Sequence, residues 1–436
     1  MLWGIIMNKF MEIAAKIGSQ RHLVAVRDAF IAMIPITMVG ALGTLINNLP
    51  SEGYKAFMAN IFGEGWTSFG GNLWWGSIAT MAIFLVIGVA YFLAKSYDEN
   101  GFQAGIIALS IFFILAPQVA TFTPEGASEA VTGWGFIPKL YTDTTALFTA
   151  IVIGLGSAEI FVRLSRINKL AIKMPEGVPP EVARSFAKLI PGMLTIAIFT
   201  FLGIFISKVT DGKFLTDILN TYLGKPLSNF ADSLGFTMLI AFLVHFLWIF
   251  GLHGANIALP FTETILMKLG GDNAILVEQG ATEGFHVLAG SFFDAFVYLG
   301  GSGMILGLII ALLIAGRRRK EMIALGGPPA IFNISEPVIF GLPIVLNPIF
   351  MIPFVLAPVV CSAIAYLAID FGIVAPVIMP KIPWVTPPIL GGIMATGHWS
   401  GGVLAAINLI ISVLIYLPFV TISEKMEAKK AEKSAN

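Results

Sequence analysis

Residues 328–348 read PPAIFNISEPVIFGLPIVLNP. The run is apolar almost throughout, yet it carries Asn333, Ser335, Glu336 and Asn347 among five prolines and Gly341. Five prolines exclude one continuous helix, because each lacks an N–H and most clash with the preceding turn. Inside a bilayer, interrupted backbone survives only where protein buries it or where it lines a wet cavity. A carboxylate at that depth is costly and marks function. The stretch therefore reads as a re-entrant, substrate-lining element with Glu336 as its polar centre. The competing reading is a cytoplasmic loop followed by an ordinary helix, with Glu336 as the partner of that helix's N-terminus.

The rest of the chain supports the membrane setting. Of 436 residues, 57% are hydrophobic and only 12% are charged, about half the charged share of a soluble domain. The apolar runs are about 20 residues long, the length of a spanning helix and not of a barrel strand. The expected fold is an all-α integral membrane protein with about ten transmembrane helices, two re-entrant hairpins and amphipathic surface helices. Net charge is zero, which excludes a nucleic-acid footprint. Cys361 is the only cysteine; it lies in an apolar run and reads as packing. No cleavable signal peptide is evident. The N-terminus reads as an amphipathic surface helix with Phe10, Ile13, Ala14 and Ile17 on one side.

In chain order, spans are expected at 29–49, 74–94, 102–120, 144–162 and 189–208, with loops at 50–72 and 121–143. The Pro179-Pro180 pair followed by Glu181 suits the start of a new helix. A composition shift sets a boundary near residue 225. Residues 1–225 are plain apolar spans and read as a scaffold half. Residues 226–422, interrupted by Gly, Pro, His, Asp and Glu, read as a transport half, and 423–436 as a charged cytoplasmic tail. Spans in the second half are expected at 235–252, 291–315, 349–370 and 400–420. No internal repeat is convincing. Basic clusters at 163–173, at 317–320 and in the tail place those segments, and both termini, in the cytoplasm.

Polar residues within the apolar second half are few. They are His245, His253, Asn256, Glu263, Asp294, Asn333, Ser335, Glu336, Asn347, Trp384, His398 and Trp399. Acceptors and donors for vicinal hydroxyls, together with aromatic faces for C–H groups, are what a sugar pocket needs. No ligand pair has a tight metal spacing, and no nucleophile elbow is present. His245, eight residues before His253, reads as structural. Asp294 in SFFDAF is either an inward-facing site residue or half of a structural ion pair. Trp384 and Trp399 read equally as interfacial anchors.

FGLHGAN (250–256), FFDAFVYLGGSG (292–303) and NISEPVIFGLPIVLNP (333–348) resemble the membrane subunit, enzyme IIC, of the sugar phosphotransferase system. They are most similar to its lactose, cellobiose and diacetylchitobiose branch. The resemblance implies a homodimer, with the N-terminal spans at the dimer contact and the sugar held between two re-entrant hairpins of the C-terminal half. It implies a β-linked disaccharide, translocated inward and phosphorylated from a phosphocysteine on a IIB protein that is charged through IIA. By the same resemblance, His253 and Glu336 hold the hydroxyl that is phosphorylated. Asn256, Asp294, Asn333 and Trp384 join them around the sugar. Ser335 departs from the NINEP of many relatives and receives no role. No cofactor or metal is implied. IIA and IIB are expected as separate chains, docking near 163–190 and RRRK (317–320), with membrane lipid around the spans. Two rivals are a proton-coupled sugar symporter cycling a proton on Glu336 and a glycosyl-processing enzyme using Glu336 and Asp294.

Overall fold

A computed structural model describes residues 12–48, 52–124, 128–175, 177–316, 320–342, 344–345 and 347–435. Phe10 of the expected surface helix, Arg317–Arg319 of the basic cluster and Pro343 lie outside these residues. The described residues are largely helical, with an antiparallel hairpin pairing Val119–Phe122 with Val131–Trp134. Among the described residues, four helices are long and apolar enough to cross a membrane: Lys139–Ser165, Leu189–Val209, Met351–Asp370 and Trp399–Ala428. Two bent helix pairs raise the count to six, and Met81–Lys95, Gly101–Ile114 and Ile305–Ala315 are shorter apolar helices.

The chain divides into two units. One comprises residues 19–36 and 75–227, and the other residues 12–18, 37–74 and 228–435. The break at 227/228 lies close to the composition shift near 225, while 37–74 groups with the later residues.

In the first unit, Met81–Lys95 is the central helix, packed by Arg21–Ala32, Gly101–Ile114 and Leu147–Ser165. Its buried face, from Met81 to Ala94, is entirely apolar. At one end a polar cluster closes the unit. Tyr97 donates to Glu159, which also takes Arg163 and His22, while Arg21 and Arg166 lie over the Tyr97 ring. Helix Pro180–Ala187 begins where the proline pair and Glu181 set it, with Pro180 in the first turn.

In the second unit, Leu234–Trp248 packs on Met351–Asp370, and Trp399–Ala435 packs on both Ile305–Ala315 and Met351–Asp370. Their shared core holds Leu308, Leu312, Val338, Phe350, Phe354 and Tyr416, all buried. Leu234–Trp248 turns tightly into Gly254–Glu278. A Cβ on Gly254 would collide with the Val244 carbonyl, so this reversal depends on glycine.

The loop expected at 50–72 is helical over Glu52–Phe62 and Thr67–Trp75, and three further expectations change. The span at 291–315 is not continuous: a short helix, Phe292–Phe296, is separated from Ile305–Ala315. The intervening YLGGSG turns through left-handed backbone at Gly300, Gly301, Gly303 and Met304, which no helix accommodates. The last helix does not end at the expected span limit of 420 but continues through the tail to Ala435. Its EKMEAKKAEKSA sequence is built from strong helix formers. The 328–348 stretch is broken as its prolines imply, but not at the first of them: the helix Lys320–Ile331 runs through Pro328 and Pro329, and the helix is interrupted at 332–335 and again after Gly341.

Candidate functional site

Two helix starts in the second unit meet. His253 caps helix Gly254–Glu278: its Nδ1 accepts from the Asn256 backbone N–H at 3.2 Å. Glu336 occupies the first turn of helix Glu336–Gly341, which Pro337 preorganises. The His253 Nε2 and the Glu336 Oε1 stand 3.7 Å apart, with side-chain exposures of 39% and 44%. That separation is longer than a hydrogen bond. An oxygen about 2.8 Å from both atoms would complete a triangle over it. The Trp248 ring backs His253 at 4.6 Å between centroids and also meets Phe340, giving the pair an apolar floor.

The hydrogen bonding of His253 fixes its tautomer. A ring nitrogen that accepts from a backbone N–H carries no proton, so neutral His253 holds its proton on Nε2, facing Glu336. The pair thus presents one N–H donor and one carboxylate acceptor toward the same space.

Asn333 lies beside the pair but faces the protein. It is 7% exposed. Its Oδ1 accepts from Gly300 N–H at 2.8 Å, and its Nδ2 donates to the carbonyls of Trp384 and Thr386 at 2.6 and 2.9 Å. Both amide protons are spent on backbone, and its own backbone is left-handed at φ 61°, a conformation asparagine tolerates better than most residues. Asn333→Ala is expected to orphan three backbone groups and cost roughly 3 kcal/mol. A thermal melt of purified protein checks this. The melt should fall by about 5 °C, whereas a residue that only contacts ligand would lose sugar affinity with an unchanged melt.

Asp294 is not free either. Its Oδ2 accepts from Lys381 Nζ at 3.0 Å, and Lys381 also reaches Glu263 at 3.1 Å. All three side chains are nearly buried. Asn256 contributes its backbone to the His253 cap. Trp384 gives its carbonyl to Asn333 and leaves its indole about half exposed. Asn347 Oδ1 accepts from the Ile349 and Phe350 N–H groups and so closes the turn that leads into helix Met351–Asp370. His245 is buried, bonded to the Ala241 carbonyl and packed against Tyr298 and Phe354. His398 Nδ1 pairs with Ser400 at the break before the last helix. Among the described residues, no three His, Cys, Asp or Glu side chains converge to hold a metal.

Sequence reasoning missed Lys381. Its signal was available: a single cation, in MPKIPW, within apolar sequence that also holds two unmatched acids. A second missed cluster joins Asp232 to His286 at 2.9 Å, with Asp272 and Lys268 alongside.

Comparison with known proteins places the chain among sugar permeases. The family model described as "Phosphotransferase system, EIIC" matches residues 27–358. The lichenan permease IIC component of Bacillus subtilis (strain 168) is 37% identical over 429 residues, covering 98% of this chain and 94% of that protein. The cellobiose-specific EIIC component of Geobacillus stearothermophilus is 37% identical over 436 residues, covering 98% and 95%. The crystal structure of ChbC, the IIC component of the N,N'-diacetylchitobiose-specific phosphotransferase system, superimposes with a TM-score of 0.91 at 34% identity. That match covers 97% of this chain and 98% of ChbC.

Proposed function

We propose, since this chain belongs to the phosphotransferase-system EIIC family, that it carries a β-linked disaccharide across the membrane and presents one hydroxyl to a phosphorylated IIB protein. The cellobiose and diacetylchitobiose relatives make those two sugars the first candidates, with lactose third. The observation that carries the reading is the His253–Glu336 pair, whose 3.7 Å gap accepts one hydroxyl oxygen.

The chemistry follows from the protons. Glu336, a carboxylate acceptor, takes the proton of the sugar hydroxyl as its oxygen attacks phosphorus. The IIB phosphocysteine sulfur leaves as thiolate, the S–P bond breaking as the O–P bond forms. His253, with its proton on Nε2 and Nδ1 tied to backbone, donates to the hydroxyl oxygen and orients it. His253 does not take the proton itself, because its accepting nitrogen is already used by the Asn256 backbone. Trp384's exposed indole supplies an aromatic face for the sugar, and Asn256 keeps His253 in place. The interrupted backbone at 332–335 and the YLGGSG turn act as the re-entrant elements that shape the cavity.

Positive charge supports cytoplasmic placement of 163–173 and of the tail, and with them the IIB docking face. Residues 226–422 would form the moving transport half and the apolar spans before them the scaffold of a homodimer. The proton-symport reading finds no support in the comparisons, and Asp294, paired with Lys381, is a poor second carboxylate for a glycosidase.

Uptake into membrane vesicles tests the reading. Sugar phosphate should accumulate only with phosphoenolpyruvate and the relay proteins. Unmodified sugar driven in by a proton gradient alone would overturn it.

A further inference from the structure

We infer that Lys381 is a positioning residue: its two buried ion pairs brace the segment 381–386 between the helix that begins at His253 and the turn that carries Glu336, and so set the gap in which the hydroxyl is held. The inference rests on the reading of His253 and Glu336 as the hydroxyl-holding pair.

The two members of that pair stand on different elements. From the His253 side, the helix Gly254–Glu278 runs from its cap to Glu263, which meets Lys381 Nζ at 3.1 Å. From the Glu336 side, Asn333, three residues earlier, donates to the carbonyls of Trp384 and Thr386. Lys381 and Thr386 are thus two ends of one short segment that is tied at each end to one half of the pair. A second connection runs through Asp294, which takes Lys381 at 3.0 Å. Six residues after Asp294, Gly300 donates to Asn333 Oδ1. Ser291 Oγ accepts from Ile382 N–H at 2.6 Å and pins the segment's start. These contacts connect the element that carries His253 to the turn that carries Glu336, and Lys381 joins the two acids within that connection.

The charge count favours a brace over a ligand contact. One lysine faces two carboxylates, so its ammonium is fully engaged inside the protein. Breaking either buried ion pair would leave an uncompensated charge inside the protein, so both contacts hold, which is what a strut requires. Displacing a reacting group by about 1 Å costs phosphoryl transfer far more than it costs binding of a large sugar, by as much as a hundredfold.

The test uses the full-length purified protein with its charged IIB partner, and cellobiose and diacetylchitobiose as probes. Sugar Kd is measured without IIB, and kcat for sugar-phosphate formation with it. Lys381→Met should lower kcat by roughly tenfold to a hundredfold while Kd moves by less than about threefold. Lys381→Arg, which keeps the charge, should recover most of the rate. If Lys381→Met does not fold, the triple variant Glu263→Gln, Asp294→Asn, Lys381→Met leaves no unpaired charge and carries the comparison; it should show the same loss of kcat. Wild-type kcat in that triple variant, or parallel losses in Kd and kcat, would overturn the inference. Glu336→Gln run alongside separates the two levels. Loss of transfer in Glu336→Gln with normal transfer in the Lys381 variants rejects the strut alone. Normal transfer in Glu336→Gln rejects the site and the strut together.

Discussion

Glu336→Gln is expected to reduce sugar phosphorylation by ~10²–10⁴-fold, the range a positioned general base supplies. The replacement keeps shape and a carbonyl oxygen, so it still accepts a hydrogen bond but no longer takes a proton. The side chain is 44% exposed and its charged neighbour is His253 at 3.7 Å, so little stability rests on the charge, under ~1 kcal/mol. Expression, membrane insertion and the thermal melt should match wild type. Sugar Kd should weaken by only a few fold, because amide and carboxylate offer similar acceptors. The decisive measurement is sugar-phosphate formation by purified protein with charged IIB. Wild-type turnover in Glu336→Gln would remove Glu336 from the reaction.

His253→Ala is expected to lower kcat about a hundredfold and to weaken sugar binding less than about fivefold. Two losses are combined in this variant. The Nε2–H donor disappears from the hydroxyl site, and the Asn256 N–H loses its cap, which costs the helix Gly254–Glu278 about 1 kcal/mol. His253→Asn separates them, since asparagine restores a cap acceptor without an imidazole. It should recover the melt and not the rate. Equal losses of binding and rate in His253→Ala would mean that His253 only binds sugar and does not orient the reacting oxygen.

What the chain reveals before folding depends on how local each cause is. The membrane class follows from composition, because 12% charge over 436 residues leaves too few polar groups to coat a soluble surface. His253 and Glu336 stand out because ionisable groups are rare in apolar sequence, and the structure brings them within 3.7 Å. The break near Glu336 is legible from its prolines, yet its position was not. Pro328 and Pro329 are absorbed into a helix, and the interruption falls at Asn333 because that side chain takes up backbone groups from residues 300, 384 and 386. Such partners lie 33 to 53 residues away and leave no local pattern. The same limit hid the Lys381 triad, whose members are spread from residue 263 to 381. The interruption of 291–315 was nearer to being readable. Its glycines at 300, 301 and 303 adopt left-handed conformation and turn the chain.

The account's central claim is that one sugar hydroxyl sits between His253 and Glu336 and is the one phosphorylated. A structure of the full-length protein with the disaccharide bound tests it most directly, paired with identification by NMR of the ring position phosphorylated in the product. The account predicts that this same hydroxyl oxygen lies about 2.6–3.2 Å from both His253 Nε2 and a Glu336 carboxylate oxygen. A bound sugar whose phosphorylated position lies beyond hydrogen-bond reach of both side chains would contradict it.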